Sequence, residues 1–165
     1  MHHATNNPSN QETPHEHTKT TTNIALLALR SILAVVFIFH GSQKLFGWFG
    51  GYGLTATGQY MESIGIPFGA LSAFMAGATE FFGGILLLAG LFVPYVTIPM
   101  VITMLVASFV AHSGFNAQTG GMEYSLTLAV ALFSLGLLGA GDWTLERFVK
   151  KPAPVPVTAR TTTQS

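Results

Sequence analysis

Four apolar stretches, at about 24–46, 69–91, 94–112 and 122–140, constrain this sequence more than any other feature. Each is about 19 to 23 residues long, which at ~1.5 Å per residue is enough to cross a ~30 Å hydrocarbon core. Inside lipid a backbone must satisfy its own hydrogen bonds, so each stretch is expected to be a helix. The strings are too long and too continuously apolar for barrel strands. Charged residues make up only 8% of the chain, against about 25% in an average soluble domain. The expected fold is therefore all-α, an integral membrane four-helix bundle. A soluble enzyme, a disordered chain and a nucleic-acid binder with a basic stripe are excluded. The formal net charge of zero says nothing further about partners. With no cysteine in the chain, it can hold no disulfide, thiolate metal site or cysteine nucleophile.

The ends and loops differ in character. Residues 1–23 are polar and lack apolar periodicity, so a disordered tail is expected there. His2, His3, His15 and His17 offer loose metal ligands, but a solvated low-complexity tail is the favoured reading. The first apolar stretch is read as a retained span and not a secretory signal. The segment before it is long and nearly uncharged, and no small-residue cleavage site follows. The first loop, 47–68, carries Trp48, Phe49, Tyr52 and Tyr60, and its middle, 54–64, suits a short helix lying in the interface. A tight hairpin around 90–94 joins the second and third spans. The third loop, 113–121, is polar and glycine-rich. After Asp142 and Trp143 come Arg147, Lys150 and Lys151, then a Pro- and Thr-rich end, 149–165, expected to be disordered. The central domain is thus 24–148. Basic residues beyond the fourth span, with Lys19 before the first, outweigh Lys44 near the opposite loops. The positive-inside rule then places both termini in the cytoplasm.

Six ionisable residues fall within or at the edges of the spans: Arg30, His40, Lys44, Glu80, His112 and Glu123. Each is costly in hydrocarbon and needs an explanation. In this topology His40, Lys44, His112 and Glu123 reach the same outer layer from three spans, and one shared site would let them satisfy one another. His40 and Lys44 are four apart and share a face. Glu80 lies about eleven residues into the second span, near the midplane, on a face with Ala73, Ala76, Gly77, Gly83 and Gly84. Small residues allow close helix approach, so this face points into the bundle. Glu80 is then protonated, paired with a cation such as His40 or Arg30, or facing a wet cavity. On the fourth span Glu123 shares a face with Thr127 and Ser134, and on the third Ser108 precedes His112 by one turn.

Plainer roles compete with these. Arg30 and Lys44 can snorkel to opposite interfaces. Glu123 suits a helix first turn, His112 an interfacial cap, and Glu80 a structural hydrogen bond. As chemistry, a buried Glu80 near His40 can pass protons or hydrogen-bond a quinone. His, Lys and Glu at one level can also bind a small anion. A metal site is disfavoured because Lys44 opposes a cation. No dinucleotide-binding glycine motif, P-loop or zincin helix occurs.

Several short runs are recognisable. Phe39-His40-Gly41-Ser42-Gln43-Lys44-Leu45-Phe46-Gly47 resembles the signature of the DoxX family of small four-helix membrane proteins. So do Glu80-Phe81-Phe82-Gly83-Gly84 with Gly90-Leu91, and His112 followed by Gly120-Gly121-Met122-Glu123-Tyr124. Gly139-Ala140-Gly141-Asp142-Trp143 resembles the family's closing element, although Thr144-Leu145-Glu146 stands where Ser-Leu-Asp is usual. The likeness extends over about 26–148. It implies a bacterial inner-membrane protein, with relatives linked to quinone-connected thiosulfate oxidation and to complexes that handle oxidative and thiol stress.

The resulting expectation is a redox-associated subunit for a membrane oxidoreductase or stress-response complex. It would use Glu80 and His40 for quinone contact or proton relay, with Lys44, His112, Glu123 and Arg30 binding the ligand. The residues specify no cofactor; a quinone is the candidate. The expected partners are the lipid bilayer and a membrane or soluble redox protein, and no nucleic acid. A lipid-accessible cavity lined by Glu80, His40 and His112 would favour this reading. A fully packed interior would favour a non-enzymatic scaffold. A small-solute carrier is a third alternative, weakened by the lack of an internal repeat.

Overall fold

The structure, a computed structural model, describes residues 14–149. Within them the chain forms α1 (Pro14–Phe46), α2 (Gly53–Ser63), α3 (Gly69–Ala89), α4 (Val93–Val106), α5 (Glu123–Leu138) and α6 (Leu145–Val149). A π turn, Ala107–Ala111, continues α4. No strand occurs among the described residues. Three helices, Glu16–Phe46, Gly69–Ala89 and Val93–Ala111, are long and apolar enough to cross a membrane. The apolar α5 has 16 residues, about 24 Å, and is shorter than a typical span. The fold is thus an all-α membrane bundle, with α2 matching the short helix expected in the first loop.

One expectation fails at the N-terminal end. Helix α1 starts at Pro14, so residues 14–23 are helical and not a disordered tail. Proline suits a helix's first position, and no further proline or glycine follows it before the apolar stretch. Once the apolar stretch nucleates the helix, propagation costs little per residue. Thr21 and Thr22 donate their hydroxyls back to the carbonyls of His17 and Thr18. The expectations for 1–13 and 150–165 lie outside the described residues.

Helices α1 and α3 pack antiparallel at backbone range. A Cβ placed on Gly41 would collide with the backbone of Phe81, and one on Gly84 would sit 2.9 Å from the Ile38 nitrogen. Further toward the C-terminal end of α1, Gly77 lies against Leu45 and the Cβ of Lys44. The small face of α3 is therefore the packed face, with Ala73, Gly77, Gly83 and Gly84 all buried. Across the bundle Thr97 of α4 fills the space opposite Gly136 of α5. Leu33, Phe37, Leu87, Met100, Leu132 and Leu135 form the centre of the core.

The α3–α4 hairpin turns on Gly90 (φ 70°). Its N–H bonds the Leu87 carbonyl at 3.0 Å and the Leu91 N–H bonds that of Leu86 at 3.0 Å, a Schellman closure. Both described ends of the chain meet at one end of the bundle. Asn23 donates to Asp142 Oδ2 at 3.1 Å and accepts the Asp142 N–H at 2.9 Å. Arg147 then pairs with Asp142 at 2.6 Å. At the opposite end α2 folds over the start of α3, where Glu62 Oε1 accepts the Gly69 N–H at 3.0 Å.

Candidate functional site

The site grows from the α1–α3 contact. Because Gly77 faces Lys44, Glu80 lies less than one turn from the level of Lys44. Side chains on a helix lean toward its own N-terminus. On antiparallel helices Lys44 and Glu80 therefore lean toward each other. Lys44 Nζ meets Glu80 Oε2 at 2.6 Å. The cation partner of Glu80 is thus Lys44, and not His40 or Arg30. Lys44 does not snorkel outward, since its stem runs inward to this carboxylate. The Glu80 side chain is 1% exposed and that of Lys44 27%, so the pair is closed on one side and open on the other.

The open side is a cavity of about 640 Å³ between α1, α2, α3, α4 and α5, within the ~300–1,000 Å³ common for ligand sites. Lys44, Glu80, His40 and His112 line it, together with Tyr60 and Tyr124. The remaining walls are mostly apolar, for example Phe37, Met61, Ile64 and Leu128. A charged pair at one edge of an otherwise apolar chamber suits a small polar ring or head on an apolar body.

The two histidines are held differently. His40 meets Phe39 edge-on at 5.4 Å and faces the Tyr124 ring at 6.2 Å. His112 ends the π turn, its Nδ1–H donating to the Ala107 carbonyl at 2.7 Å. Because a carbonyl can only accept, this bond places a proton on Nδ1. The role as a cap seen in the sequence and a place in the cavity wall therefore coincide. One turn earlier Ser108 donates to Met104, and its hydroxyl lies 2.9 Å from that of Ser125 on α5.

Two of the six expected residues stand elsewhere. Glu123 is exposed, opens α5, and accepts the Ala117 N–H at 3.1 Å. The first-turn role describes it, and it does not line the cavity. Its face, with Thr127, points outward, while Ser125 is buried. Arg30 sits at the opposite end, 2% exposed. Its Nη1 and Nη2 donate to the carbonyls of Ala140 and Trp143, each at 2.7 Å. It does not snorkel to the interface; it clamps the turn after α5. Thr57 and Ser125 were not singled out from the sequence, and Tyr60 was read only as an interface aromatic of the first loop. An aromatic on a loop helix beside a polar layer was the available signal for Tyr60.

A family model described as DoxX matches residues 25–113, from α1 to the end of the π turn. Among similar proteins is the inner membrane protein YqjF of Escherichia coli, 26% identical over 131 residues, covering 78% of this chain and 95% of that protein. CatD of Bacillus subtilis, which carries a provisional oxidoreductase designation, is 29% identical over 128 residues, covering 78% and 89%. The uncharacterized membrane protein Rv3486 of Mycobacterium tuberculosis is 27% identical over 141 residues, covering 78% and 83%. No solved structure matches the chain. The family match spans more than half of the sequence and includes the α1–α3 contact that builds the Lys44–Glu80 pair, and the chain belongs to the DoxX family.

Proposed function

We propose that this chain is a redox-linked membrane subunit that holds a quinone ring beside the Lys44–Glu80 pair and exchanges protons with it. The observation that carries the reading is the placement of that buried ion pair in the wall of a mostly apolar cavity, with His40 and His112 in the same wall. Reducing a quinone consumes two electrons and two protons. Electrons come from a partner, because the chain has no thiol to supply them. Protons are within the means of its own residues: the Lys44 ammonium donates to the Glu80 carboxylate across 2.6 Å, and two imidazoles stand in the same cavity wall. The provisional oxidoreductase designation of CatD is in keeping with this. The chamber also speaks against a scaffold with a fully packed interior.

The basic residues beyond α5 and the E. coli relative support a bacterial inner-membrane location with both termini cytoplasmic. Purification in mild detergent followed by mass spectrometry of extracted lipids tests the function. Quinone co-purifying with wild type and lost from Glu80→Leu is expected. Glu80→Gln keeps the shape but not the titration. It should fold and insert normally, yet fail to restore a deletion strain under oxidative or sulfur-compound stress. Full restoration by Glu80→Gln, with no quinone bound to wild type, would overturn the proposal.

A further inference from the structure

The cavity has a side entrance, and the entrance selects the ligand. Met75 of α3 and Pro99, Ile102 and Val106 of α4 line the cavity, yet all four are exposed. The chamber therefore reaches the protein surface between α3 and α4. Ile102 is the midpoint of the span Val93–Ala111, so in a bilayer this opening meets acyl chains. All four rim side chains are apolar, which offers nothing to a hydrated anion or a free sugar. The end nearest the loops is occupied by α2, whose Thr57, Tyr60 and Met61 line the chamber with Ile64 just after it. The Tyr60 hydroxyl reaches toward the Ala111 carbonyl at 3.4 Å.

Volume and backbone add to this. A cavity of about 150 Å³ accommodates a benzene ring, and this one, at about 640 Å³, leaves room for more than a ring. The α4 wall is also interrupted on either side of Ile102. Pro99 lies inside the helix, and the π turn follows at Ala107–Ala111. Proline removes one ladder hydrogen bond, and π turns mark places where a helix yields. The segment between them is the part of the wall best able to part from α3.

We infer that the occupant enters from the bilayer through the α3–α4 cleft and is a quinone with an isoprenoid tail, its ring at Lys44–Glu80 and its tail left among the acyl chains. This rests on the ring-binding reading above and adds the route and the tail.

The test uses the full-length protein in detergent and measures equilibrium binding of two probes, a long-tailed ubiquinone and the same ring without a tail. In the variant Met75→Trp with Ile102→Trp the rim is filled. It should lose about tenfold or more in affinity for the long-tailed probe and bind the tail-less ring within about twofold of wild type. Val106→Trp narrows the same rim from α4 alone and should act in the same direction. Phe74→Trp with Ile98→Trp, exposed neighbours that do not line the chamber, should change neither affinity. Equal effects on both probes, or none in the rim variants, would overturn the side entrance and leave the ring site standing. Wild type that binds neither probe would overturn the ring reading and the entrance together, and phospholipid carried in the chamber instead would overturn the quinone as its occupant.

Discussion

Lys44 of α1 and Glu80 of α3 meet at 2.6 Å although they lie 36 positions apart in the chain. Their helices run in opposite directions, so each side chain leans toward the other. One partner is fully buried and the other opens to the chamber. The pair thus joins a carboxylate held dry to an ammonium that also faces the chamber.

Removing one partner leaves the other unsatisfied, which costs more than removing both. Lys44→Met should lower stability by about 1–3 kcal/mol, given partial exposure of Lys44 and the modest worth of interhelical polar contacts in membranes. Lys44→Met combined with Glu80→Leu should recover most of that loss while abolishing quinone binding. Thermal unfolding in detergent measures the first effect and a binding assay the second. Equal stability of the single and double variants would show that the pair does not hold the helices.

Two glycines on the small faces should respond differently to one added methyl. At Gly41 the methyl meets the Phe81 backbone, which cannot move without parting α1 from α3. At Gly83 it meets the Met100 sulfur at 2.7 Å, the middle of a side chain that repacks readily. Gly41→Ala should cost about 1–3 kcal/mol, the usual range for overpacking, and Gly83→Ala less. Unfolding midpoints of the two variants give the ranking, and the reverse order would refute it.

These contrasts show which features the sequence made legible. The small residues around Glu80 repeat at helical spacing, so the packed face of α3 could be read directly. Helix α2 was legible from its aromatics and flanking glycines. The partner of Glu80 was not, because counting from span starts assumes that spans begin level. The Gly77–Lys44 contact shows that α3 starts well before the level where α1 ends, and that register is a property of the packed pair. The face of α5 was misread for a related reason. Glu123 caps a loop, so the inward hydroxyl belongs to Ser125, and no periodicity in α5 distinguishes the two. The start of α1 was missed because polar residues carry no apolar signal, even though nothing in them stops a helix already under way.

Sidedness has its own test. Arg147, Lys150 and Lys151 follow α5, and Lys19 lies near the same end of the bundle. A reporter fused after Ser165 should be active only if it works in the cytoplasm. Activity of a periplasm-only reporter there would reverse the orientation, and the chamber with it.

Arg30 separates stability from ligand binding. Its planar guanidinium reaches the Ala140 and Trp143 carbonyls at once, and a lysine ammonium, lacking that fork, cannot replace both bonds. Gly90 leaves the space for it: a Cβ there would stand 2.6 Å from Nη1, at a φ of 70°. Arg30→Met should therefore cost about 1.5–3 kcal/mol, the worth of hydrogen bonds to a charged group, with Arg30→Lys in between. Gly90→Ala should cost about 1–3 kcal/mol through backbone strain and displacement of the guanidinium. Arg30 stands at the opposite end of the bundle from the chamber. Per folded molecule, quinone affinity should then be unchanged in Arg30→Lys. Arg30→Lys protein that unfolds like wild type yet no longer binds quinone would return Arg30 to the ligand site that its depth in the sequence first suggested.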